Sequence, residues 1–235
     1  MARAVAPVLP SPVAPASVAP ASVVPALLVT VLLTAGCWRL GEGTSSEALV
    51  AWAAYPETVE VGAPFSFEFG GPVSENQCGR LDTATLAVTD SSIELAARRT
   101  TFQSVCAPQH VSYYEARPIT LDAPGHYRVR TATDIDLGTL VATDGGGFSG
   151  IRTRGEGTIR EAGGCWLFGP GWIGAQRVFA LDGLSPELRE AETDRIVHVR
   201  GRLRGFISCG NWGSRPRIRV DTAWITDKRV GDLYP

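Results

Sequence analysis

The 235-residue sequence predicts an all-β protein. Three observations carry that expectation. Apolar and polar side chains alternate along short runs, clearest in Phe65-Ser66-Phe67-Glu68-Phe69, and a period of two is that of a half-buried strand. Turn formers, among 26 glycines and 16 prolines in the chain, break these runs at sandwich-like intervals. Across residues 47–140 no helical period persists over ten residues.

The chain opens on a Pro/Ala/Val tract in which Val13-Ala14-Pro15-Ala16-Ser17 is followed by Val18-Ala19-Pro20-Ala21-Ser22. Five prolines from Pro10 to Pro25 oppose a continuous helix, because each removes a backbone donor and clashes with the preceding turn. Residues 26–36 (ALLVTVLLTAG) form an apolar run of signal-peptide length, short of the ~18–20 residues a membrane-spanning helix needs. The run ends in Leu33-Thr34-Ala35-Gly36-Cys37, which resembles the lipobox of bacterial lipoproteins. That resemblance implies cleavage before Cys37, a diacylglycerol on its sulfur, and a bacterial cell-envelope protein anchored by lipid. Thr34 stands where leucine is commoner, and Arg3 is the only basic residue ahead of the apolar core. An uncut anchor or an ordinary signal peptide also fits the core, but neither explains Ala35-Gly36-Cys37 at its end. Residues 1–36 are thus expected to be a signal peptide and 37–46 a lipidated tether.

Residues 47–140 read as the first β domain. Val59-Glu60-Val61 precedes a break at Gly62-Ala63-Pro64, and the phenylalanine strand follows. Short strands are expected at 85–88, 92–96, 111–114 and 127–132, separated by Gly70-Gly71-Pro72, Asp90-Ser91-Ser92 and Asp122-Ala123-Pro124-Gly125. The last turn, preceded by Leu121, leads into His126-Tyr127-Arg128-Val129. This segment resembles the start of a late strand in immunoglobulin and fibronectin type III domains. The resemblance implies an Ig-like β-sandwich in which the Tyr127 hydroxyl bonds back to the corner backbone. Val129 replaces the cysteine of immunoglobulins, so it implies no inter-sheet bridge of that kind.

Asp144-Gly145-Gly146-Gly147 makes residues 141–151 a Gly-rich linker candidate. Strands resume over 152–226, at 157–160, 163–168, 177–181, 195–204 and 217–225. Ser185-Pro186-Glu187-Leu188-Arg189-Glu190-Ala191 reads as a short helix with serine at the N-cap and proline in the first turn. Five strands and one short helix in this order resemble a small OB-like β-barrel. Residues 227–235 are read as a C-terminal tail.

The five cysteines include Cys37; the other four are Cys78, Cys106, Cys165 and Cys209. Four cysteines allow three pairings. Keeping each bridge within one domain selects Cys78–Cys106 and Cys165–Cys209, and export favours disulfides over free thiols. Neither a C-x-x-C pair nor close histidine partners point to zinc. The sequence therefore leads us to expect no metal and no cofactor.

Charge divides unevenly. Residues 37–151 hold 7 basic and 14 acidic side chains, or −7, whereas 152–235 hold 14 and 10, or +4. In the second region Val197, Val199 and Leu203 share one strand face, with His198, Arg200, Arg202 and Arg204 on the other. Arg215, Arg217 and Arg219 form a second row opposite Ile218 and Val220. Adjacent rows would make a basic strip for carboxylates or phosphates; the bland reading is ordinary solvation balanced by Glu187, Glu190, Glu192 and Asp194. Of the tryptophans Trp166, Trp172, Trp212 and Trp224, those at 172 and 212 lie among glycines and are candidates for exposed stacking surfaces.

Catalytic motifs are missing from the sequence. Gly147-Phe148-Ser149-Gly150-Ile151 has its second glycine one place too early for a nucleophile elbow. His110 and His126 sit at strand starts without a nucleophile in sequence reach. Asp134, Asp136 and Asp144 lack the spacing and terminal glutamate of a calcium loop. The expected function is a non-catalytic binding or structural module, its partners being the membrane and an anionic glycan, lipid headgroup or acidic protein. Nucleic acid is not expected. The alternative is an envelope hydrolase whose site is assembled from distant residues.

Overall fold

The computed structural model describes residues 43–170, 177–191 and 194–233. They form thirteen strands and one short helix, so the chain is all-β as its alternation predicts. In the first half β1 (Thr44–Glu47) and β4 (Gly79–Val88) flank β5 (Ser92–Thr101). β5 runs parallel to β7 (Gly125–Thr131), which pairs with β8 (Asp136–Thr143). β2 (Trp52–Glu60) joins β8 at its end and β3 (Phe65–Ser74) at its start, and β3 carries β6 (Val111–Ile119).

The phenylalanine alternation does what a period of two requires: Phe65, Phe67 and Phe69 are buried while Ser66 is exposed. They meet Val59, Ile93, Leu95, Val129 and Leu140 in one apolar cluster, with Tyr55 stacked on Phe67 at 5.0 Å between centroids. At the corner before β7, the Tyr127 hydroxyl donates to the Ala123 carbonyl at 2.9 Å. Cys78 and Cys106 form a disulfide with Cα atoms 5.5 Å apart, tying the start of β4 to the loop after β5.

Strands reach into the 141–151 segment from both ends, and its glycine run lies between them. β8 runs to Thr143 and β9 (Ser149–Ala162) begins six residues later, leaving 144–148 as the connection. β9 then pairs along β2, from Thr58 opposite Ser149 to Trp52 opposite Gly155. Gly155 is required there, because a Cβ would lie 2.3 Å from the Cβ of Trp52. The three glycines at 145–147 lie in the short connection; beyond it the backbone hydrogen bonds of β2 are completed by β9, so the two halves share a ladder.

In the second half β9 pairs with β10 (Cys165–Pro170), β10 with β11 (Phe179–Asp182), and β11 in parallel with β13 (Ser214–Arg229). β12 (Arg195–Ser208) pairs with both β13 and β9, so the pairings return to their starting strand. Helix α1 (Pro186–Arg189) bridges β11 and β12. Ser185 occupies its N-cap position and Pro186 its first turn, but the serine makes no side-chain capping bond; its hydroxyl meets Glu187 at 3.5 Å. Inside lie Trp52, Ile159, Phe168, Phe179, Val197, Val199 and Ile218. A second disulfide, Cys165–Cys209, has a Cα separation of 5.5 Å and anchors a smaller cluster with Leu167, Val178 and Ala180. Residues 227–235 are not simply a tail: β13 continues to Arg229, and the 3-10 turn Val230–Leu233 buries Leu233.

Candidate anion-binding face

Along β9 the small residues Thr153, Gly155 and Gly157 are buried, and Arg152, Arg154 and Glu156 take the opposite face. β12 repeats the division, with Val197 and Val199 in the core and His198, Arg200 and Arg202 opposite. Antiparallel register sets these rows against each other: Glu156 faces His198, Arg154 faces Arg200 and Arg152 faces Arg202. On the other side of β12, His198 faces Trp224, Arg200 faces Thr222 and Arg202 faces Arg219. Side chains at directly paired positions stand side by side. Three pairings of this face therefore set arginine opposite arginine: Arg154 with Arg200, Arg152 with Arg202, and Arg202 with Arg219.

Carboxylates compensate only part of that charge. Glu57, at the end of β2, accepts from Arg152 Nε at 2.9 Å and from Arg202 Nε at 3.1 Å. Burial pushes the Glu57 carboxyl up, but the hydrogen bonds of the two guanidinium groups outweigh it and hold the group below its usual range. Arg202 also has Asp221 at 3.9 Å, and Arg154 has Asp136 at the same distance. Among the described residues no carboxylate forms an ion pair with Arg200. Tyr55 lies beneath these cations: its hydroxyl donates to the Leu137 carbonyl at 2.7 Å, and burial raises it to about 12 against the pull of Arg152, Arg154 and Arg200.

At the far end of the face a polar chain runs across the strands. Arg154 Nε donates to His198 Nε2 at 3.2 Å, His198 Nδ1 faces Glu156 at 3.9 Å, and Lys228 Nζ donates to Glu156 at 2.8 Å. His198, ahead of Lys228, holds the Glu156 carboxyl below its ordinary range. The His198 ring is buried and stacked on Trp224 at 4.2 Å, with 13° between planes. Both imidazole nitrogens face charged neighbours, which fixes the orientation of the ring.

The six arginines singled out from the sequence divide among three surroundings. Arg200, Arg202 and Arg219 belong to the opposed rows. Arg217 Nη2 donates to the carbonyl of Arg204, where a bulge at Gly205, with φ of +76°, re-phases β12 against β13. Arg215 lies over the Trp212 ring at 5.9 Å, with Arg160 over the same ring at 4.9 Å. Trp212 is half-buried against the Cys165–Cys209 cluster, because the disulfide draws its turn onto β10; it is not an open stacking surface. Cys37 and Trp172 lie outside the described residues.

Arg152, Arg154, Glu57 and Glu156 were not singled out from the sequence. The signal was the alternation Arg152-Thr153-Arg154-Gly155-Glu156, masked by its place just after the glycine run. Among the described residues no group of three or more His, Cys, Asp or Glu could share a metal ion, and no helix is long and apolar enough to cross a membrane. No known family, curated protein or solved structure matches this chain. The chemistry must therefore be read from the face itself: fixed guanidinium groups in excess over carboxylates suit an anion.

Proposed function

We propose that this protein is a lipid-anchored cell-envelope module that binds an anionic ligand, without catalysis, on the face formed by β2, β9, β12 and β13. One observation carries the reading: Arg200 opposes Arg154, Arg202 opposes Arg152, and Arg202 opposes Arg219. Like charges directly opposite destabilise a sheet; Glu57 bridges Arg152 and Arg202, but Arg200 has no ion-pair partner among the described residues, and an anion would neutralise it beside Arg154. The β strands before β9 act as an Ig-like sandwich, a reading favoured by the Tyr127–Ala123 hydrogen bond. Those from β9 onward act as an OB-like barrel, a reading favoured by their closed pairing and the parallel β11–β13 contact. The two disulfides agree with an oxidising compartment outside the cytoplasm, and Cys37 supplies the anchor.

The test is binding of inorganic phosphate and of carboxylate polymers to the full chain, with salt titration. Affinity falls as salt screens the face, and the triple replacement of Arg200, Arg202 and Arg217 by serine abolishes it. Unchanged affinity in that variant would falsify the proposal. Mass spectrometry of the native N-terminus reads the lipid on Cys37 in the same preparation.

A further inference from the structure

Trp224 gives the arginine face a second kind of surface. Its ring is clamped against His198, yet 47 % of the residue faces solvent. A large flat apolar surface held in one orientation loses little freedom when something packs on it. Thr222, two residues back on the same face of β13, is exposed and stands opposite Arg200, which has no ion-pair partner among the described residues. Trp224 pairs with His198 and Arg200 with Thr222, so Trp224 and Arg200 are diagonal neighbours about 7–8 Å apart, and a ligand touching both must carry a flat apolar face and an anionic group within roughly that distance.

We infer that the ligand is an acidic sugar residue: the C–H face of a pyranose packs on Trp224, its hydroxyls reach Thr222, and its carboxylate pairs with Arg200 beside Arg154. This deepens the anion-binding reading and rests on it. Inorganic phosphate and a phospholipid headgroup such as phosphatidylglycerol offer the charge but no flat ring face for Trp224. A nucleotide offers both; the two disulfides fit an oxidising compartment outside the cytoplasm, and a nucleotide is carried in the test as the competing probe. The match is between two fixed protein groups, one aromatic and one cationic, and the two faces of a uronate ring.

The experiment measures binding to the full chain in neutral-detergent micelles by calorimetry. The probes are tetragalacturonate, neutral maltotetraose, inorganic phosphate, adenosine monophosphate and phosphatidylglycerol vesicles. Tetragalacturonate binds and maltotetraose does not. Trp224→Ala weakens tetragalacturonate about tenfold, the size of a stacking contact, and leaves phosphate affinity unchanged. Trp224→Leu keeps bulk over His198 and shows the same loss, which covers the case of an alanine variant that fails to fold. Arg200→Gln weakens tetragalacturonate and phosphate alike. Tetragalacturonate binding that ignores both Trp224 variants overturns the sugar inference and leaves the arginine reading standing. Tighter, Trp224-dependent binding of the nucleotide overturns it too, as does binding of the vesicles alone. If neither phosphate nor any other anion binds, the anion-binding reading itself is lost.

Discussion

Replacing Glu57 by glutamine probes the one carboxylate that two arginines of the face share. Its Oε1 accepts from Arg152 Nε and Nη2 and from Arg202 Nε, and its side chain is 21 % exposed. Glutamine preserves the shape and one accepting oxygen but removes the charge. Hydrogen bonds to charged groups contribute about 1.5–3 kcal/mol against about 0.5–1.5 for neutral ones, so each arginine loses about 1 kcal/mol. Arg202 is more exposed, and solvent screening reduces its share. Repulsion between Arg152 and Arg202, no longer bridged, adds a few tenths at low salt, which brings the loss to roughly 2 kcal/mol. For a chain of this size the melting temperature drops by roughly 4–8 °C. The sign with pH is fixed. Glu57 has a lowered folded-state value, so its contribution is fully present above the unfolded value of about 4.3 and disappears as pH falls through the folded one. Urea denaturation at several pH values reads both effects: the gap between wild type and variant holds from neutral pH to about 5 and closes in stronger acid. A variant as stable as the wild type at neutral pH, or a gap that persists unchanged in acid, would refute the reasoning.

Removing the Cys165–Cys209 bridge by double alanine replacement destabilises the chain by about 4 kcal/mol, and removing Cys78–Cys106 by about 3.5, from the chain-entropy dependence on loop length; denaturation with and without reductant checks both. Tyr127→Phe deletes the hydroxyl bond to the Ala123 carbonyl and lowers stability by about 1 kcal/mol, with no change in anion affinity. Gly155→Ala drives a Cβ to within 2.7 Å of the Ala51 carbonyl, closer still to Trp52, and costs about 3 kcal/mol or prevents folding, read from denaturation midpoints and expression of folded protein.

How much of this was legible beforehand follows from the range of each interaction. The phenylalanine strand was readable because alternation is local, and so was the short helix, with Pro186 in its first turn. The two disulfides were reached through an argument about domains, yet the halves turn out to share the β2–β9 ladder. The pairs survive because each still lies within one run of locally paired strands. The β9 arginines were hidden because a glycine run promises a flexible break, whereas tertiary pairing with β2 overrides local preference. Trp212 was legible in both directions: its glycine neighbours speak of a loop, and its place three residues after Cys209 speaks of packing on the disulfide, which is where it sits, half-buried. Glu57 could not be found at all from spacing, since it meets Arg152 and Arg202 across separations of 95 and 145 residues.

The position of the arginine rows bears on why the two halves are joined as they are. Arg152 and Arg154 belong to the strand that both halves share, and β2 contributes Tyr55 and Glu57 from its other side. A sheet optimised for stability alone would set glutamate against these arginines, as Glu156 is set against His198 and Lys228 one step along the same strand. The contrast lies at Arg200: Arg152 has Glu57 and Arg154 has Asp136 at 3.9 Å, whereas Arg200, opposite Arg154, has no ion-pair partner among the described residues. An anion bound beside Arg200 would supply the missing counter-charge and tie β9 and β12 together at the seam. Binding would then stabilise the junction by the usual linkage, about 2.7 kcal/mol at a hundredfold excess of ligand over its dissociation constant. The seam that costs the apo protein some stability is thus the place where occupancy would return it.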